Sequence, residues 1–304
     1  MRTLQKIYLH GLGAIGSTYA IKLQAMDPDC LKIIADRKRM ERYVRNGTFV
    51  NGKQYTFNYI QPGDDSGPAD LILIAVKQHH LEQTIKEIRG FVGRDTVILS
   101  LLNGISSEEI LGREFGMDKM LYSFCVGTDA VREGTSVSFT KTGTIVFGER
   151  NNTTYSHKVE AVKELFERAN IPYSIPEDMI RELWWKFMVN VGINQVSAIL
   201  KAPYGVFHNI REARELMVMA ASEVVLLSEA AGINLNDNDI DRFVEVMNSL
   251  SPEGKTSMLQ DVEAGRKTEA DIFSGTVMEL GIKYGIETPV NNMLYRMIRT
   301  LEQM

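Results

Sequence analysis

Four short hydrophobic runs shape the first third of the chain. They read KIYLH, LKIIAD, DLILIAVK and DTVILSLLNG, and stretches of helical periodicity lie between them. Each run is continuously hydrophobic rather than alternating, which is typical of strands buried on both faces of a parallel sheet. Strands that alternate with helices form a doubly wound α/β domain. The first half is therefore predicted to be a Rossmann-type α/β domain.

The second half of the chain has helical periodicity throughout. The predicted helices cover residues 177–200, 209–232, 237–249, 255–264, 273–285 and 289–303. The two prolines of IPYSIPED mark the change in pattern. We predict an N-terminal Rossmann-type dinucleotide-binding domain over residues 1–174, followed by an all-α domain for substrate binding and catalysis over residues 175–304. Within the first domain, TSVSFTKTGTIVFGE alternates with period two and predicts an antiparallel hairpin at the sheet edge.

Charge and cysteine content narrow the class of protein. The net charge of −5 disfavours nucleic acid and anionic membranes as partners. Cys30 and Cys125 are the two cysteines, and such low cysteine use is typical of the reducing cytoplasm. The sequence has no CxxC or Cys/His cluster, so no metal site is predicted. It also shows no secretory signal or run long enough to span a membrane, so a cytoplasmic protein is expected.

HGLGAIGS contains a G-x-G-x-x-G motif in the context that dinucleotide sites require. It follows a predicted strand directly and opens a helix, whose N-terminus attracts phosphate. The residues of this turn predicted to form the cofactor site are Gly11, Leu12, Gly13, Ala14, Ile15 and Gly16. Asp36 ends the second strand, twenty residues after Gly16, where an acid binds the ribose 2′-hydroxyl of NAD(H).

The residues around Asp36 leave the choice of dinucleotide open. Arg37 follows it directly, and a guanidinium there favours the 2′-phosphate of NADP(H). Lys38 and Arg39 either join this pocket or form a solvated basic face. Beyond the next two strands lie Lys77 and Asn103, at the strand ends where open α/β sheets bind ligands. A solvated lysine and a plain Asn-Gly turn are the alternative interpretations.

ELWWKFMVNVGIN is a strongly hydrophobic helix that carries one polar stripe. Lys186, Asn190 and Asn194 are spaced four residues apart and so lie on one helix face. Buried polar groups need partners. The stripe therefore either makes a hydrogen-bonded helix–helix contact or faces a polar cavity.

Taken together, these segments resemble the ketopantoate reductases (2-dehydropantoate 2-reductases). The resemblance covers nearly the whole chain and rests on the glycine turn, AVK, LLNG, WWKFMVNVGIN, TSMLQDVEAGRKTEADIFSG and GIETPVNNMLYRMI, in the family's order. It implies NADP(H) bound to the first domain and a 2-keto acid bound between the domains. Hydride would pass to the keto carbon and a lysine would protonate the oxygen, giving pantoate on the way to coenzyme A.

The resemblance also assigns roles to individual residues. Lys186 matches the catalytic lysine and Glu269 the active-site glutamate. Asn190 and Asn194 match substrate-contacting amides, and Ser257 matches the serine that holds the substrate carboxylate. Lys77 and Asn103 match residues that line the nicotinamide and substrate cleft. A helix N-cap for Ser257, and a surface acid beside Arg266 and Lys267 for Glu269, are the alternatives.

Two positions depart from the family pattern. Gly254 stands where many members carry an asparagine, which leaves the keto acid open, and Asp36 stands where many carry an arginine, which leaves NAD(H) open. An NAD-dependent D-2-hydroxyacid dehydrogenase of the same fold is the nearest alternative function. A non-catalytic dinucleotide-binding sensor is the second, although Lys186, Ser257 and Glu269 are all present. The helical domain also offers a surface for a homodimer.

Overall fold

The computed structural model describes residues 3–304, which divide into two compact units. The first ends at Met179 and the second is Ile180–Met304. This division falls slightly later than the one predicted after residue 174. It coincides with the start of a long helix rather than with the prolines that precede it.

The first unit has a Rossmann-like α/β arrangement, as predicted. Its strands are β1 (Ile7–His10), β2 (Leu31–Ile34), β3 (Thr48–Val50), β4 (Lys53–Tyr55), β5 (Asn58–Ile60), β6 (Leu71–Ile74), β7 (Val97–Ser100), β8 (Met120–Val126), β9 (Val131–Glu133), β10 (Ser136–Ser138), β11 (Thr144–Gly148) and β12 (Tyr173–Ser174). Its helices are α1 (Ala14–Met26), α2 (Arg37–Asn46), α3 (Leu81–Ile88), α4 (Ser107–Phe115) and α5 (His157–Arg168). Short 3₁₀ turns cover Gln78–His80, Arg89–Phe91 and Met117–Lys119.

The main sheet has the strand order β12-β11-β8-β7-β6-β1-β2-β5. The segment from β8 to β5 is parallel throughout. Successive side chains of a strand point to opposite faces. Leu9 and Leu73 accordingly join one buried hydrophobic cluster, while Tyr8 and Ile72 join another. Both faces of these strands are covered, which explains their continuous hydrophobic runs and confirms the predicted fold class.

The predicted hairpin over TSVSFTKTGTIVFGE is wrong. Its two halves, β10 and β11, belong to different sheets. β10 pairs with β3 and β9 in a separate four-stranded sheet, whereas β11 pairs antiparallel with β8. Between them, the Asp129 carboxylate accepts hydrogen bonds from the backbone of Thr140 and Lys141 and diverts the chain. Period-two alternation identified two strands but carried no information about their partners.

The second unit is built from helices. They are α6 (Met179–Leu200), α7 (Tyr204–Asn209), α8 (Arg211–Ala230), α9 (Asp237–Ser249), α10 (Ser257–Glu263), α11 (Ser274–Tyr284) and α12 (Pro289–Leu301), with a 3₁₀ turn at Ala270–Ile272. The predicted helix over 209–232 starts too early, because Ile210 is extended and separates α7 from α8. Within residues 3–304, no helix combines the length and the apolar character needed to cross a membrane.

A buried polar network joins four helices of this unit. The Glu223 carboxylate, on α8, accepts hydrogen bonds from the backbone N–H groups of Val290 and Asn291 at 2.7 and 2.9 Å. A negative charge at the first turn of α12 is favourable there. The Asn291 amide accepts from Gln195 of α6 and from Ser274 of α11. Because Gln195 follows the predicted substrate residue Asn194 on α6, the network holds this part of the helix in place.

Candidate functional site

The predicted cofactor residues of the first unit lie at one edge of the main sheet. The glycine turn follows β1, Asp36 follows β2, Lys77 follows β6 and Asn103 follows β7. These four strands are adjacent and parallel, so their carboxyl ends meet at the same edge. The connections from β1 to β2 and from β6 to β7 run in opposite directions across the sheet. This reversal is where open α/β folds bind ligands.

The three glycines of the turn are needed for different reasons. Gly11 has φ of +105°, and a Cβ there would lie 2.4 Å from the Ala75 carbonyl oxygen. A Cβ on Gly16 would lie 1.9 Å from the Gly11 oxygen. At Gly13 the nearest protein atom would be 3.7 Å away, an ordinary contact. Packing within the protein therefore demands glycine at 11 and 16 but not at 13, where close approach of a ligand to the backbone is the remaining reason. The turn thus fits a dinucleotide.

Asp36 is the N-cap of α2 and is held by Arg39. Its Oδ1 accepts from the Arg39 backbone N–H at 2.7 Å, and its Oδ2 accepts from Arg39 Nε at 2.7 Å. Burial opposes ionisation of this carboxyl, but the hydrogen bonds from Arg39 prevail and hold its pKa below the ordinary value. Asp36 is therefore an anion whose charge is already compensated within the protein.

Arg39 continues into a buried cluster that the sequence prediction missed. Its terminal amino group pairs with Glu87 Oε2, and the same oxygen accepts from His10 Nε2 at 2.6 Å. Gln83 donates to Glu87 Oε1 at 3.0 Å. Burial opposes ionisation of Glu87, yet these donors lower its pKa to about 2. Burial lowers the pKa of His10, so a neutral imidazole donates to an anionic carboxylate.

Arg37 lies apart from this cluster. Its side chain is 81% exposed and pairs with Glu41 at 2.9 Å, one helical turn along α2. Arg39 is only 26% exposed. The solvated basic face, the alternative for Lys38 and Arg39, therefore does not describe Arg39. The role of Arg37 in binding a 2′-phosphate stays a prediction.

Lys77 and Asn103 occupy the loops expected of them. Lys77 is half-buried and precedes the 3₁₀ turn Gln78–His80, in which the His80 N–H donates to the Lys77 carbonyl at 2.9 Å. Asn103 lies in the bend after β7 and is followed by Gly104, whose φ is +93°. Both side chains are thus carried by short, constrained turns at the ligand-binding edge.

In the second unit, the polar stripe of α6 forms as predicted. Asn190 and Asn194 are 6% and 5% exposed, and Lys186 is half-buried. The Asn194 amide donates to Asn190 Oδ1 at 3.3 Å. Ser257, at the start of α10, donates to Asn194 Oδ1 at 3.2 Å. The structure therefore joins three of the predicted substrate residues through one amide.

Two alternative interpretations fail in this unit. The N-cap of α10 is Thr256, whose hydroxyl accepts from the Leu259 N–H, so Ser257 is not the cap. Glu269 is 5% exposed and is not a surface acid. It precedes the 3₁₀ turn Ala270–Ile272.

Gly254 is tightly packed. A Cβ there would lie 2.9 Å from the Tyr204 ring and 3.0 Å from the Ser251 oxygen. An asparagine at this position would collide with Tyr204 unless the ring moved. The glycine at position 254 and the Tyr204 ring therefore belong together, because the ring occupies the space that a side chain at position 254 would need.

The residues that sequence reasoning missed carried usable signals. His10 is a polar residue inside a buried strand, and Glu87 falls on the apolar face of α3 with Leu81 and Thr84. Polar residues at core positions require partners. Arg39 lies three residues after a helix-capping Asp, a spacing at which side chains meet. Across residues 3–304, no group of three or more His, Cys, Asp or Glu side chains is arranged to hold a metal ion.

Comparison with known proteins covers both units. The family model described as Ketopantoate reductase PanE/ApbA matches residues 7–152, and Ketopantoate reductase PanE/ApbA C terminal matches residues 178–302. The chain is 25% identical over 302 residues to the 2-dehydropantoate 2-reductase of Streptococcus pyogenes serotype M6, covering 97% of each chain.

Solved structures show the same fold. The crystal structure of 2-dehydropantoate 2-reductase from Geobacter metallireducens GS-15 is 26% identical with a TM-score of 0.85, covering 97% of this chain and 99% of that one. D-mandelate dehydrogenase in its ternary structure with NADH and anilino(oxo)acetate has a TM-score of 0.87 at 21% identity, covering 98% of each chain. At that identity the second likeness is one of fold alone.

Proposed function

The chain belongs to the ketopantoate reductase family, and from that premise we propose that it reduces 2-dehydropantoate to pantoate with a nicotinamide dinucleotide. Pantoate formation places the reaction in pantothenate and coenzyme A biosynthesis. The observation that carries the proposal is the hydrogen-bonded set of Ser257, Asn194 and Asn190 on the helix that bears Lys186. Hydroxyl and amide groups of this kind orient a 2-keto acid.

Different residues have different roles in the proposed reaction. The dinucleotide, when bound, supplies the hydride. The glycine turn and the N-terminus of α1 would bind its pyrophosphate, with Gly13 allowing the close approach of the backbone. Hydride addition develops negative charge on the keto oxygen, and the Lys186 ammonium stabilises that charge and gives up a proton to it. Glu269 is a buried acid, and in this proposal its negative charge would favour the protonated form of Lys186.

A second candidate is favoured by Gly254 and Tyr204. Gly254 lacks the amide that many family members carry, and the Tyr204 ring packs against it. This pairing replaces a hydrogen-bonding group with an aromatic surface. It favours an aromatic 2-keto acid, in a reductase of the D-2-hydroxyacid dehydrogenase type.

A panel of 2-keto acids tests the proposal and separates the two candidates. Oxidation of NADH and of NADPH is followed by absorbance with ketopantoate, phenylglyoxylate and pyruvate. We expect the highest kcat/KM with ketopantoate. A kcat/KM at least tenfold higher with phenylglyoxylate would replace the first candidate with the second. Absence of turnover with every keto acid and both dinucleotides would contradict both and favour a dinucleotide-binding sensor.

Ser257→Ala tests the substrate site. We expect KM for the keto acid to rise roughly ten- to hundredfold, because a hydrogen bond to a charged group contributes about 1.5–3 kcal/mol. Binding of the dinucleotide should be unchanged. Ser249→Ala is the matched control, since Ser249 is exposed and its hydroxyl donates only to a backbone carbonyl of its own helix. A Ser257→Ala protein with wild-type KM for every accepted acid would remove Ser257 from the substrate site.

A further inference from the structure

The side chains around Asp36 form a cluster with an excess of negative charge. Asp36 and Glu87 are both anionic, Arg39 compensates one of them, and His10 is neutral. Glu87 is 5% exposed, so its charge is satisfied by its neighbours rather than by water. The Arg39 guanidinium is the only cation among these four residues, and both carboxylates already bind it.

A 2′-phosphate at this position would need to pair with the Arg39 guanidinium, which the two carboxylates already bind. The acid at the end of the second strand marks where the adenosine ribose of a dinucleotide lies in this fold. A phosphate brought there would meet the exposed Asp36 carboxylate, while the buried Glu87 keeps hold of Arg39, and like charges at close range repel. A bare 2′-hydroxyl has no such conflict, because it can donate to the Asp36 carboxylate, which is 44% exposed.

From this arrangement we propose that Glu87 is a specificity-determining residue for the cofactor. It holds Arg39 against Asp36, withholds the guanidinium from a 2′-phosphate, and makes NAD(H) the preferred dinucleotide over NADP(H). This inference rests on the proposed function for the class of cofactor. Glu87 acts through Arg39 and is therefore a positioning residue.

Arg37 offers a competing route for phosphate binding. Its pair with Glu41 is exposed at both ends, and such pairs contribute little to stability. Arg37 would therefore leave Glu41 at small cost. Arg39 cannot leave Glu87 so easily, because its departure would strand a buried carboxylate. The two arginines can therefore be distinguished by neutralising Glu41 and Glu87 separately and measuring dinucleotide binding each time.

Glu87→Gln is the direct test. Dissociation constants for NADH and NADPH are measured by titration of dinucleotide fluorescence, without any keto acid. We expect wild type to bind NADH more tightly. In Glu87→Gln, Arg39 is released towards the phosphate, and NADPH affinity should rise roughly ten- to hundredfold, the range for a hydrogen bond to a charged group. NADH affinity should stay within about twofold, which also shows that the site is folded.

Glu41→Gln is the matched control, because it neutralises the partner of Arg37 in the same way. It should leave both dissociation constants unchanged. Asp36→Asn is a second variant in which the cap acceptor is kept and the other carboxylate charge is removed. It should strengthen NADPH binding and weaken NADH binding.

The outcomes separate this inference from the proposed function. Wild-type protein that binds neither dinucleotide overturns the proposed function and this inference with it. Wild-type protein that prefers NADPH overturns this inference alone. So does a Glu87→Gln selectivity ratio equal to that of wild type. A shift in selectivity with Glu41→Gln but not with Glu87→Gln assigns phosphate recognition to Arg37 instead.

Discussion

Replacement of Lys186 by alanine is expected to lower kcat by roughly 10²–10⁴-fold, the range for loss of a positioned general acid. Lys186 is half-buried on α6, one residue after the buried Trp185 and four residues before Asn190. In such a position an ammonium stabilises a developing oxyanion more strongly than it would in water. The measurement is steady-state turnover of the best keto acid, together with the dissociation constant of the dinucleotide, which should not change.

Two further variants make this test specific. Lys283→Ala is the matched control, because Lys283 is an exposed lysine near the end of α11, and its turnover should equal that of wild type. Lys186→Arg keeps the positive charge but offers a guanidinium, which does not give up its proton in proteins. We expect it to bind substrate and turn over slowly. Near-normal kcat in a folded Lys186→Ala protein would exclude Lys186 from the proton transfer.

The parallel sheet and the glycine turn could be predicted because their causes are local. Strands buried on both faces must be hydrophobic throughout, and Gly11 and Gly16 leave no room for a side chain. The stripe on α6 was predictable for the same reason, since helix geometry alone places Asn190 beside Asn194. None of these inferences needed knowledge of which distant segment packs where.

The errors concern features that depend on which distant segment a strand or a side chain contacts. β10 and β11 alternate in the same way, yet β10 pairs with β3 and β11 with β8. The contact of Arg39 with Asp36 was missed for the same reason, while the role of Arg37 stays a prediction. Capping geometry turns the third residue of the helix back towards its cap, and the buried Glu87 on α3 fixes it there. Residues 36–39 alone give no sign that the Glu87 carboxylate of α3 lies beside Arg39.

The choice between Thr256 and Ser257 as the N-cap of α10 also depended on contacts that the sequence does not show. Thr256 and Ser257 are both suitable N-caps by composition. The structure uses Thr256 because its hydroxyl meets the Leu259 N–H, and this leaves Ser257 to bond with Asn194 of α6. The hydroxyl that does not cap the helix thus bonds to a residue 63 positions away in sequence, and its role in substrate binding stays a prediction.

The second large effect is expected in the pH dependence of stability, and it comes from Glu108. This residue lies on α4 and is 1% exposed. Its Oε2 accepts from the Ser107 hydroxyl at 2.8 Å and its Oε1 from the Ser123 N–H at 3.2 Å. Burial dominates over these hydrogen bonds and raises the pKa of Glu108 from 4.5 to about 7.

The direction of the effect follows from proton linkage. Between about pH 4.5 and pH 7 the folded chain holds a proton on Glu108 that the unfolded chain has lost. The free energy of unfolding therefore falls as the pH rises through this window. One pKa unit corresponds to about 1.4 kcal/mol, so this group removes about 3 kcal/mol between pH 4 and pH 8.

Glu108→Gln should abolish this contribution, because an amide has nearly the same shape and does not ionise. Urea unfolding followed by circular dichroism at pH 5 and pH 8 gives the comparison. The variant should be close to wild type at pH 5 and more stable by up to about 3 kcal/mol at pH 8.

Glu109→Gln is the matched control on the same helix. Its carboxyl is 61% exposed, so the pH dependence of that variant should be that of wild type. Equal stability changes for Glu108→Gln and Glu109→Gln across the pH range would show that Glu108 ionises at its ordinary pKa in the folded protein.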